Sequence, residues 1–112
     1  MYLPKEDIYN LLKDNLDCDV SQTQPTVFNE LPFVNFEISN NSIELMLDNE
    51  IGYQDLDVSI HIWAEDSVSA SELLSRIEEL MRQELYQMTY SADVPNIGDI
   101  FHIVTRFSKK VG

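Results

Sequence analysis

The chain has 112 residues, with 20 acidic against 7 basic side chains, a net charge of −13 and a single cysteine, Cys18. That length suits one domain, residues 1–112, with a core of its own, and a lone cysteine rules out an internal disulfide and fits a reducing compartment. So acidic a surface repels phosphate backbones, which argues against direct nucleic-acid binding.

No segment approaches the run of about 18 apolar residues that spans a bilayer, and Met1-Tyr2-Leu3-Pro4-Lys5-Glu6-Asp7 has no apolar leader core. Neither a membrane anchor nor secretion is expected; the chain reads as cytoplasmic, or as part of something assembled in a cytoplasm.

Glu6 to Leu16 is the first predicted element, a helix. Pro4 suits its first turn, Glu6 and Asp7 sit at the positive end of its dipole, and Ile8, Leu11, Leu12 and Leu16 form the apolar stripe. Asp17 to Pro25 reads as a polar loop, with Val27-Phe28 as a short extended piece. Leu31 to Ile38 reads as a strand, with Pro32 at its start, where a missing N–H is tolerated. Ser39-Asn40-Asn41-Ser42 has turn chemistry, so Ile43 to Leu47 is expected to return as the second strand of a hairpin.

A polar loop, Asp48 to Tyr53, then precedes the main strand, Gln54 to Trp63. Leu56, Val58, Ile60, Ile62 and Ala64 alternate with Asp55, Asp57, Ser59, His61 and Trp63, the period of a half-buried strand. Asp66 or Ser67 is positioned to cap a following helix. Leu73, Leu74, Ile77, Leu80, Met81, Leu85 and Met88 recur at three- and four-residue steps, so this helix is expected to reach Tyr86 or Met88. Tyr90 to Asn96 reads as loop, and Asp99 to Phe107 as a last strand. The expected fold is α+β: a mainly antiparallel sheet of about four strands packed against two helices.

Reactive chemistry is poorly provided for. The two histidines, His61 and His102, fall on different strands. A two-histidine site across adjacent strands is geometrically possible, but the plainer reading is a polar-face residue and a hydrogen-bonded strand residue. Asp48-Asn49-Glu50-Ile51-Gly52 resembles a calcium loop only faintly, since the later ligands do not follow. Asp17 and Asp19 flank Cys18 and suppress its thiolate. No Gly-x-Ser-x-Gly elbow occurs, and three glycines cannot build a phosphate-cradling loop. Neither an enzyme nor a bound cofactor or metal is expected.

Trp63 stands out, placed among polar residues on the outer face of the main strand, and tryptophan is enriched at interface hot spots. With it go Asp57, Ser59 and His61 on the same face, Arg106 on the last strand, and Arg76 and Arg82 on the helix, able to meet acids of a neighbouring subunit. These residues are the expected oligomer or partner interface.

The order of elements resembles a known group. A short N-terminal helix leads to Leu31-Pro32-Phe33-Val34, and Asp57-Val58-Ser59-Ile60-His61-Ile62-Trp63-Ala64 runs directly into Ser69-Ala70-Ser71-Glu72-Leu73-Leu74. The chain then closes on Phe101-His102-Ile103-Val104-Thr105-Arg106-Phe107. This is similar to the small tail-completion proteins of long-tailed bacteriophages and prophages, the tail-terminator and head–tail joining group. The resemblance implies a homo-oligomeric ring, usually a hexamer, that caps the tail tube, stops its growth and joins it to the head. Its partners would be the tail tube protein and the head connector, its place the virion, assembled in the host cytoplasm. An acidic lumen that lets DNA pass without sticking agrees with that role. The alternative is a small acidic binding protein that inhibits a basic partner by imitating the charge of DNA.

Overall fold

In the computed structural model of the protein, residues 4–16, 18–22, 31–45, 51–97 and 100–111 are described. Strict alternation makes β3, Ile51–Ala64, the centre of the sheet, and a three-to-four period makes α2, Ser67–Gln83. The remaining elements are α1 (Pro4–Asn15), β1 (Asp19–Ser21), β2 (Phe33–Leu45), β4 (Gln87–Ile97) and β5 (Ile100–Val111). The strands form one sheet in the order β1-β2-β3-β5-β4. Only the short β1–β2 pair is parallel. The fold is α+β, with both helices on one face of the sheet.

Pairing register explains the core. Across the sheet, Val34 lies opposite Ile62 and Phe36 opposite Ile60, while Ile62 faces Ile103 and Val58 faces Phe107. All are buried, together with Ile8, Leu12 and Leu16 of α1 and Ala70, Ile77, Leu80 and Met81 of α2, in one cluster. Each fully buried Ile, Val or Phe contributes about 1.5–3 kcal/mol from removal of apolar surface from water. Thr105 also points into this core at 0 % exposure. Its hydroxyl donates to the Tyr90 carbonyl at 3.2 Å, beside a register shift between Met88 and Tyr90 in β4.

Four expectations are corrected. First, the sheet has five strands rather than about four. Asp19–Ser21, within the stretch read as loop, pairs with β2, and Tyr90 to Asn96 belongs to β4. Second, Ser39 to Ser42 does not turn. β2 continues through it, absorbing the change as a register shift between Ile38 and Asn40, so the hairpin is formed by β2 and β3. Third, β3 already begins at Ile51, within the segment read as polar loop.

Fourth, α2 stops at Gln83, short of Tyr86. Leu85 takes φ 69°, while the Leu85 N–H donates to Arg82 O and the Tyr86 N–H to Met81 O. This is the Schellman ending, in which a left-handed residue satisfies the last carbonyls. At the other end Asp66 caps the helix, its carboxylate accepting from the Ser69 N–H at 2.7 Å, which holds its pKa below the ordinary value. The expectations for Asp17, Val27-Phe28 and Asp48 to Glu50 lie outside the described residues. Among those described, no helix is long and apolar enough to cross a membrane.

Candidate interaction site on the open sheet face

Because side chains alternate, β2, β3, β5 and β4 also present a second face, away from the helices. Register arranges it in rows. Phe33, Trp63, His102 and Val94 form one, Asn35, His61, Val104 and Ala92 the next, and Glu37, Ser59, Arg106 and Tyr90 a third. Diagonal neighbours on adjacent strands are within reach of long and aromatic side chains, and here they connect the rows.

The Trp63 indole stacks on the His102 imidazole with centroids 3.6 Å apart and planes 13° from parallel. Its Nε1–H donates to Asn35 Oδ1 at 2.7 Å. Asn35 is only 3 % exposed, so this bond satisfies an amide carbonyl that water barely reaches. His61 Nδ1 and His102 Nε2 are 2.9 Å apart, and His61 Nε2 is 3.5 Å from Glu37 Oε1.

One set of tautomers satisfies both contacts with neutral rings: His102 Nε2–H donates to His61 Nδ1, and His61 Nε2–H faces the carboxylate. Burial, then the nearness of His61, pushes the His102 pKa down to about 4. Histidines, indole and amide are therefore locked together as a rigid plate, half-buried by its own neighbours.

Of the expected interface residues, Asp57, Ser59, His61, Trp63 and Arg106 lie on this face. Arg106 sits opposite Ser59 and 5.2 Å over the Tyr90 ring, and Asp57 accepts a hydrogen bond from the Ser108 hydroxyl. Arg76 and Arg82 do not join them. They are on α2, on the other side of the sheet, and Arg76 pairs with Glu79 at 3.4 Å one turn along the helix. Asn35, Glu37 and His102 complete the plate without having been singled out as interface residues. The alternation of Phe33, Asn35 and Glu37 with Val34 and Phe36 placed them on a shared face, but only the pairing of β2 with β3 brings them to Trp63.

The plate offers ring faces and hydrogen-bonding edges for contact with a partner surface. Among the described residues no group of three His, Cys, Asp or Glu side chains could hold a metal ion. No protein-family model matches the chain, and no curated protein matches it.

Proposed function

We propose that this protein is a phage structural protein, a tail terminator or head–tail joining component, that works by self-association and shape. The observation that carries this reading is the Trp63–His102–His61 plate, fixed by hydrogen bonds on the sheet face opposite the two helices. Rigid aromatic groups bind well because their ordering cost is met before association. A repeated head-to-tail contact through such a face closes a ring when its rotation permits, and the likeness to tail-completion proteins gives that ring its role at the end of the tube. Light scattering and negative-stain microscopy across a concentration series test this. Closed rings that are lost in Trp63→Ala support it. A chain that stays monomeric at high concentration and high salt overturns it.

A second reading is favoured by the opposite side of the molecule. Glu6, Asp7 and Asp14 on α1 and Glu72, Glu78 and Glu79 on α2 are all exposed on the helical layer. Such a layer suits an acidic protein that occupies a basic partner. Binding to a DNA-binding protein, competed by DNA and lost in high salt, is its test.

A further inference from the structure

α1 lies beside the C-terminal end of α2 and the end of β5, with a cleft of about 370 Å³ between them. Three carboxylates face it, Asp7, Asp14 and Glu84, against one ammonium, Lys109. Tyr86 also lines this cleft. It is only 4 % exposed, yet its hydroxyl has no hydrogen-bond partner among the described residues. Native proteins rarely leave a buried hydroxyl orphaned, and this one belongs to a residue of the cleft wall. Burial, then the charges of Asp7 and Glu84, pushes its pKa up to about 12.

The shape of the site narrows the ligand. Among the described residues no group of carboxylates could hold a metal ion. An anion would meet three like charges. The ring of Tyr86 already accepts a cation, with Lys109 Nζ at 5.1 Å from its centroid. Ile8 and Leu11 add apolar wall against which a methylene stem can lie.

We propose that this cleft binds an organic cation, a guanidinium or ammonium group on an aliphatic stem, whose N–H donors reach Asp7, Asp14, Glu84 and the Tyr86 hydroxyl oxygen. The same chemistry is carried by an arginine or lysine side chain of a partner protein and by a free polyamine. The site lies away from the Trp63 plate, and the inference does not rest on the assembly role.

The test is a titration of the ¹⁵N-labelled full-length chain with N-acetyl-arginine methylamide and, separately, with spermidine, at physiological ionic strength. Saturable shifts confined to residues 7–15, 84–86 and 109 are expected. Tyr86→Phe, shown to fold by its thermal midpoint, should weaken binding about tenfold or more, the worth of a hydrogen bond from a charged donor. Glu84→Gln, at an exposed position, should weaken it as well and stands in should Tyr86→Phe fail to fold. Saturation by the arginine probe alone assigns the site to a partner's side chain; saturation by spermidine alone assigns it to a free polyamine. Shifts that spread over the acidic surface without saturating, or that Tyr86→Phe leaves unchanged, overturn the proposal.

Discussion

Trp63 and His102 lie face to face across β3 and β5, 3.6 Å between ring centroids, and the same indole donates to Asn35 on the other neighbouring strand. One side chain thus ties three strands together on the face opposite the core. Trp63→Phe keeps an aromatic ring over His102 but removes the N–H. The Asn35 carbonyl, at 3 % exposure, then loses its donor, and stability should fall by about 1–3 kcal/mol. Urea denaturation measures this. The double variant Trp63→Phe/Asn35→Val should recover most of the loss, because an apolar pair leaves nothing unsatisfied. A double variant that only adds the two single losses would sink the account.

His102 makes the plate sensitive to acid. Its folded pKa, about 4, lies below the ordinary 6.5, so the unfolded chain takes up a proton between these values while the folded chain does not. The contribution of neutral His102 to stability is therefore whole above about pH 6.5 and declines as pH falls towards 4. Carboxylates titrate in part of this window, so the comparison that isolates His102 is wild type against His102→Gln. Wild type should lose more stability between pH 7 and pH 4.5. Direct NMR titration of the His102 ring should show no transition near pH 6.5.

Leu85 departs from the usual helix ending. Its φ of 69° costs a residue with a β-carbon about 1–2 kcal/mol, while glycine there gives back about 0.5–1 kcal/mol in unfolded-state entropy. At 78 % exposure the leucine buries little that would be missed. Leu85→Gly should accordingly stabilise the fold by about 0.5–1 kcal/mol, read as a rise in the urea midpoint at unchanged slope.

That same ending shows why the length of α2 is not legible in the sequence. Leu85 and Met88 continue the spacing of Ile77, Leu80 and Met81, and no glycine marks the stop. The stop comes from carbonyl satisfaction at Arg82 and Met81, which no residue type announces here. β4 was hidden for a related reason. Gln87, Thr89, Ser91 and Asp93 are polar, Pro95 sits near its end, and such composition is usual for an edge strand protected against unwanted pairing. By contrast β3 is legible from Gln54 to Trp63, where a strict two-residue period sets both faces, and only its first residues, from Ile51, lie outside that period. The outer-face position of Trp63, His61, Ser59 and Asp57 came with it. The meeting of His61 with His102 did not, because it depends on the register of two strands 41 residues apart, and local periodicity carries no information on that.

Arg106 and Arg76 separate the two sides of the molecule. Arg106 lies on the open face over Tyr90, whereas Arg76 is engaged with Glu79 on α2. If copies associate through the open face, Arg106→Ala should weaken self-association in sedimentation velocity and Arg76→Ala should not. Stability separates them in the opposite sense only slightly, since an exposed pair three residues apart on a helix is worth about 0.2–0.5 kcal/mol. Salt gives an independent check. Copies that each carry −13 repel one another, and screening at high ionic strength removes that opposition. Association through a mainly aromatic and apolar plate should therefore strengthen as salt rises, while capture of a basic partner by the acidic helical layer should weaken. Equal effects of both arginine variants, or self-association that falls steadily with salt, would place the contact on the helices instead.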